Sequence, residues 1–113
     1  MIPEQQTTIY LDQNYSIEER VDDLLGRMTL DEKLAQLGSA WVFELISDLR
    51  FDTAKATPIL ADGLGHITRV AGASSLAPQE GAALANQIQK YLKEQTRLGI
   101  PAIVHEECCS GYM

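Results

Sequence analysis

The sequence predicts an α/β fold in which a pair of N-terminal helices leads into a β-α-β unit. Three observations carry this: two capping boxes in succession over residues 16–32, a long amphipathic stretch behind Pro78, and two short apolar runs, GHITRV and IPAIV, on either side of that stretch. Strand, helix, strand is an order that packs most simply as a parallel pair joined by a right-handed crossover.

Taken in order, residues 1–15 show no hydrophobic period and read as an extended lead-in. In SIEERVDDLLGRM, Ser16 and Glu19 have capping-box spacing, each side chain reaching a free amide at the helix start. Ile17, Val21, Leu24, Leu25 and Met28 then recur as one apolar stripe, with Arg20 and Arg27 off it. TLDEKLAQLG repeats the device: Thr29 and Glu32 form the box, Leu30, Leu34 and Leu37 the stripe, and Gly38 suits the left-handed position after the last turn. Residues 39–64 carry a weaker pattern. WVFELISDLRF suits a short helix or a buried extended segment, and ADGLG marks a turn.

GHITRV (65–70) is β-branched and glycine-led and reads as a strand; AGASSLAP reads as a loop. Pro78 fits the first turn of a helix. From there to Arg97, Ala82, Leu84, Ala85, Ile88, Tyr91 and Leu92 share a face, until Gly99 and Pro101 stop the helix. IPAIV (100–104) lacks polar alternation and reads as a strand buried on both faces.

The chain's 113 residues suit one domain, and 45% apolar with 22% charged residues is an ordinary globular balance. A net charge of −7 argues against nucleic acid or an anionic membrane as partner. MIPEQQTTIYLDQN lacks the basic-then-apolar order of a secretory signal, and no run approaches the roughly 18 apolar residues of a membrane span. Cys108 and Cys109 are neighbours and cannot staple distant segments, so a cytoplasmic, reducing location is expected.

Ligands of parallel α/β folds bind at the carboxyl ends of the strands. His105, Glu106 and Glu107 stand at the end of the second strand. Side chains alternate along a strand, so Ile103, His105 and Glu107 point one way and Val104 and Glu106 the other. That parity argues against Glu106 and Glu107 as a facing acid/base couple, whose carboxyls stand about 5 Å or more apart across a substrate. The run H-E-E-C-C lacks a second histidine at helical spacing and a separated cysteine pair, and His66 is the only other histidine. No metal and no cofactor is expected. The two cysteines form a redox pair or, more ordinarily, buried thiols. GLGHIT has glycines but no Lys-Ser/Thr and no helix directly behind it, so it is not a phosphate loop.

ERVDDLLGRMTLDEKLAQLGS (19–39), GLGHITR (63–69) and ANQIQKYLKEQTRLGIPAIVHEECCSGYM (85–113), in this order, resemble the N-terminal barrel domain of family 3 glycoside hydrolases, the β-glucosidase and β-xylosidase family. The resemblance implies that residues 16–113 are the beginning of a (β/α)8 TIM-type barrel, incomplete, from a retaining exo-acting glycosidase that releases terminal β-linked glucose or xylose. Its partner is then a carbohydrate, the β-glycoside substrate. In that family an aspartate nucleophile lies further along the barrel, and a following domain usually supplies the acid/base glutamate. Neither has a match here, so no catalytic residue is expected in this chain, and the chain alone is expected to be inactive.

Carried over by the resemblance, Glu107 grips sugar hydroxyls in the −1 subsite through charge-assisted hydrogen bonds, which are the strong ones. His105 either orients Glu107 or contacts sugar. Glu106 anchors a neighbouring loop through backbone amides. Arg69, at the end of the first strand, either pairs with an acidic group near the site or is a plain surface residue. Arg97 is expected on the last carbonyls of its own helix. Trp41 is expected in the core between helices, with stacking on a sugar face as the other reading. The sequence departs from the family pattern at Cys108, Cys109 and Ser110 before Gly111, and in length, since such a barrel needs about 250 residues. Two other readings remain: a small non-catalytic α/β module that binds a ligand or partner at its strand ends, and an inert fragment whose strand edges aggregate or pair with a complementing chain.

Overall fold

Both capping boxes close. In the computed structural model, which describes residues 8–109, the Glu19 N–H donates to Ser16 Oγ at 3.2 Å and the Ser16 N–H to the Glu19 carboxylate at 2.9 Å. They open helix α1 (Ile17–Arg27). Thr29 and Glu32 make the same pair of bonds, at 3.2 and 2.9 Å, ahead of α2 (Leu30–Gln36). Within the lead-in, Ile9–Leu11 close a 3-10 turn instead of running extended. Tyr10 ties that turn down: its N–H donates to Asp23 at 3.0 Å and its hydroxyl to the Leu98 carbonyl at 2.9 Å.

The remaining elements are strands β1 (Ser39–Trp41), β2 (Ile46–Ser47) and β3 (Arg50–Phe51), helix α3 (Thr53–Leu60), strand β4 (His66–Thr68), helices α4 (Val70–Ser74) and α5 (Pro78–Gln95), and strand β5 (Ile103–His105). The main sheet has the order β1-β4-β5. Both pairings are parallel, in the registers Ala40↔Ile67 and Ile67↔Val104. The two expected strands therefore lie side by side in one direction, and a third, unforeseen strand flanks them.

Gly65 joins these elements. Its N–H donates to the Ala35 carbonyl at 3.1 Å and its own carbonyl accepts from Ile103 at 2.8 Å, while the His66 N–H reaches the Gly38 carbonyl at 3.1 Å. A Cβ on Gly65 would stand 2.0 Å from the Gln36 carbonyl oxygen. Only a residue without a side chain passes the end of α2 so closely. On the other side of β5, Gln89 of α5 stands in for a strand neighbour: its amide donates to the Ala102 carbonyl at 2.7 Å and accepts from the Ala102 N–H at 2.9 Å.

One face of the sheet is closed by helices. Ala40 and Ile67 turn into a core with Val42, Leu45, Ala56, Leu60, Ile88 and Leu92, all essentially without solvent exposure. Each large aliphatic side chain so buried contributes about 1.5–3 kcal/mol. On α5 the inward positions are Gly81, Leu84, Ile88 and Leu92; Ala82 is exposed, and Gly81 takes the contact with α4, where an added Cβ would meet Ala71 at 3.0 Å.

Several expectations are corrected. Residues 39–64 hold β1, a β2–β3 hairpin and α3. The hairpin turn places Asp48 and Leu49 at φ 50° and 62°, the conformation that Asn-Gly normally signals, so no turn residue announced it. Helix α3 forms with Pro58 inside it, started by Asp52, whose carboxylate accepts from the Lys55 N–H at 3.2 Å. AGASSLAP is no simple loop: Val70–Ser74 form α4, bounded by left-handed Arg69 and Ser75. Strand β5 is not buried on both faces, since Ile103 is 62% and Val104 40% exposed. It is the edge strand of the sheet, and the face bearing Ile103 has no covering layer among the described residues. The stripes of α1 and α2 also face outward at Ile17, Val21, Leu25, Leu30, Leu34 and Leu37.

Arg97 does not serve its own helix. Its guanidinium grips buried Glu32 through two bonds of 2.7 and 2.6 Å and also donates to the Arg27 carbonyl at 2.7 Å. A planar fork matched to a carboxylate outcompetes a single helix-end carbonyl. The Arg97 hydrogen bonds, seconded by the Thr29 amide and opposed by burial, hold the Glu32 carboxyl at about 2 instead of 4.5.

Two predictions follow from this packing. Gly65→Ala costs about 1–3 kcal/mol or more through overpacking against backbone. Gly26→Ala, where an added Cβ meets nothing within 4 Å in the helix, gains about 0.5–1 kcal/mol. Urea unfolding of both variants checks the opposite signs. The depressed Glu32 carboxyl gives stability that is fully present above its ordinary value of 4.5 and drains away as pH falls toward about 2. Thermal unfolding between these limits should show Glu32→Gln less stable at neutral pH and less steeply pH-dependent than the parent.

Candidate functional site

The parallel register levels three strand ends. Trp41 pairs with Thr68 and Thr68 with His105, so the last residues of β1, β4 and β5 form one row. Alternation puts Ser39, Trp41, His66, Thr68, Ile103 and His105 on the sheet face opposite Ala40 and Ile67. The first group is exposed except for half-buried Thr68. Ser39 and Thr68 join across the β1–β4 pair through their hydroxyls at 3.0 Å.

Trp41 is not a core residue. It is 48% exposed at the end of β1, with Phe43 edge-on to its ring at 4.7 Å between centroids. The strand, not a helix pair, sets its direction: Ala40 and Val42 take the inward positions. Ser39 escaped the sequence reading because β1 did, and Thr68, inside a strand that was read, had no visible partner without it. The signal that would have found β1 is the period of two in Ser-Ala-Trp-Val, outward, inward, outward, inward, directly after the helix-ending Gly38.

Beyond β5 the alternation continues. His105 Nε2 lies 3.5 Å from Glu107 Oε1, with both side chains about half exposed on one side. Glu106 turns the other way, and its Oε1 accepts from the Ala71 N–H at 3.0 Å, an anchor on the first turn of α4. Arg69 extends the β4–β5 pairing by one rung, its N–H donating to the His105 carbonyl at 2.7 Å. Its guanidinium reaches the Gly72 carbonyl at 3.4 Å, while Nε is buried without a hydrogen-bond partner among the described residues. Nor does Arg69 form an ion pair within 4.0 Å among those residues. Glu106 Oε2 and Arg69 Nε instead border the same gap: a Cβ on Gly72 would stand 2.7 Å from one and 3.5 Å from the other.

Cys108 and Cys109 are exposed free thiols, not buried ones; they follow β5, whose residues are themselves exposed. Ser110 and Gly111 lie outside the described residues. Among the described residues, no group of three or more His, Cys, Asp or Glu side chains is placed to hold a metal ion. No helix there is long and apolar enough to cross a membrane.

A parallel sheet with helices on one face and polar side chains gathered at its carboxyl end is the layout of an α/β ligand-binding domain. The comparison with known sequences gives the class: residues 29–113 match the family described as "Glycosyl hydrolase family 3 N terminal domain". The chain belongs to glycosyl hydrolase family 3. Among its relatives, "Probable beta-glucosidase C" of Aspergillus oryzae is 41% identical over 101 residues, covering 87% of this chain. "Beta-glucosidase C" of Emericella nidulans is 38% identical over 97 residues, covering 85%. "Putative beta-xylosidase" of Formosa agariphila is 31% identical over 113 residues, covering 94%. The matched region spans only 16%, 15% and 14% of the lengths of these relatives.

Removing the Glu106 carboxylate strands the amide of buried Ala71. Glu106→Ala should cost about 1–3 kcal/mol and speed hydrogen exchange at the Ala71 amide, whereas Glu106→Gln, which keeps an acceptor, should retain most of the protection.

Proposed function

We propose that this chain is the opening part of a family 3 (β/α)8-type barrel. In the complete enzyme its strand ends line the sugar pocket of a retaining, exo-acting glycosidase that removes terminal β-linked glucose or xylose. The observation that carries the reading is the placement of Glu107 beside His105, 3.5 Å apart, just past the end of β5, level with the ends of two parallel neighbours. Support also comes from the uncovered sheet face, which in a closed barrel turns inward, and from the outward stripes of α1 and α2.

In this reading the Glu107 carboxylate accepts hydrogen bonds from two sugar hydroxyls, and His105 holds it in position. Arg69 stands at the end of β4 beside the same strand ends, and Glu106 fixes the turn between β4 and α4. Binding and orientation are the tasks of these residues. The nucleophile and the acid/base belong to parts of the family's enzymes that have no counterpart in these 113 residues, and no cofactor enters the chemistry.

The purified chain should give no sustained release of p-nitrophenol from p-nitrophenyl β-glucoside or β-xyloside; turnover would overturn its expected inactivity. A chimera in which residues 29–113 replace the matching segment of the Aspergillus oryzae relative should hydrolyse the β-glucoside. Within it, Glu107→Ala should lower kcat/KM by about 10²- to 10⁴-fold, as the loss of two hydrogen bonds to a charged acceptor implies. An unchanged kcat/KM would remove Glu107 from the pocket.

A further inference from the structure

The vicinal cysteines remain unused by the glycosidase reading. Cys108 and Cys109 are adjacent, exposed and free, directly beyond Glu107 in the segment that follows β5. We infer that this pair is a dithiol site for trivalent, monosubstituted arsenicals, soft electrophiles that take two thiolates and no further protein ligand.

Ligand number selects the acceptor. A tetrahedral zinc site needs three or four protein ligands, and no group of three His, Cys, Asp or Glu side chains is so placed among the described residues. Two sulfurs alone suit an acceptor whose third position is already a carbon substituent. Geometry then separates this acceptor from a disulfide. Neighbouring Cα atoms stand about 3.8 Å apart across a trans peptide, short of the usual 4.4–6.8 Å for a disulfide, so a direct S–S bond is strained and readily reduced. An arsenic atom between the sulfurs lets them stand farther apart than an S–S bond allows. Exposure supplies access for the reagent, which thiol reactivity requires.

The step balances without an oxidant. Two S–H bonds and the As–O bonds of an organoarsenic(III) oxide break, two As–S bonds form, and the oxygen leaves with both protons as water. Arsenic remains trivalent.

Phenylarsine oxide, added to the folded 113-residue chain and followed by intact-mass spectrometry under native conditions, tests the site. The expected product carries one reagent less one water per chain. It survives a large excess of glutathione and is stripped by 2,3-dimercaptopropanol. Cys108→Ser and Cys109→Ser, each at an exposed position, should each lose the glutathione-resistant adduct. Absence of the adduct in the parent chain, or its glutathione resistance in either single variant, would falsify the two-thiol site. So would thiols that react with a chromogenic disulfide reagent only after the chain is unfolded.

Discussion

The structure depends on one close approach, that of Gly65 to the last turn of α2. A Cβ there would fall 2.0 Å from the Gln36 carbonyl oxygen, inside any tolerable contact, and the space so spared lets one residue serve three elements. Its N–H closes on the carbonyl of Ala35 and its carbonyl takes the amide of Ile103. The start of β4 is thereby fixed against α2 and β5 together. Register follows, because a parallel pair fixed at one rung is fixed along its length, and a slip of one residue would exchange the buried Ile67 for exposed neighbours.

The row of residues at the far end of the sheet is a consequence of that register. Trp41, Thr68 and His105 are level because Ser39, His66 and Ile103 are level two residues below. The residues past the strands then diverge by parity: Glu107 falls on the side of His105, Glu106 on the side of the α4 backbone. Two adjacent glutamates thus acquire different surroundings with no difference in chemistry. One holds a turn. The other stays half exposed beside His105.

How far the sequence disclosed this depended on whether a signal was local. Capping boxes, the Pro78 helix start and the Glu106/Glu107 parity are read from residues within four of each other, and the structure places each as the local chemistry dictates. Hidden features are those decided by distant partners. Leu49 in a left-handed conformation and Pro58 inside a helix both run against local preference, and the core around Leu45, Ala56 and Leu60 overrides it. Arg97 reaches Glu32 across 65 positions of sequence, a pairing no periodicity announces. The exposure of β5 was equally unreadable: an apolar strand looks alike whether its face is covered by this chain or left open.

Buried, paired charges and exposed polar groups are placed at opposite ends of the same strands. Arg97, Glu32 and the Gly65 crossing lie where α2 and α5 deliver the chain into β1 and β5, at the amino ends. There the charges are paired and the carboxyl of Glu32 is held far below its ordinary range. At the carboxyl ends the polar groups are the reverse: His105 and Glu107 are half exposed, and Arg69 Nε lacks a partner among the described residues. A buried polar group without a hydrogen bond costs about 1–3 kcal/mol, so the fold tolerates at one end what it has removed at the other. That asymmetry leaves His105 and Glu107 facing solvent at the carboxyl end of a sheet whose register is set at its amino end.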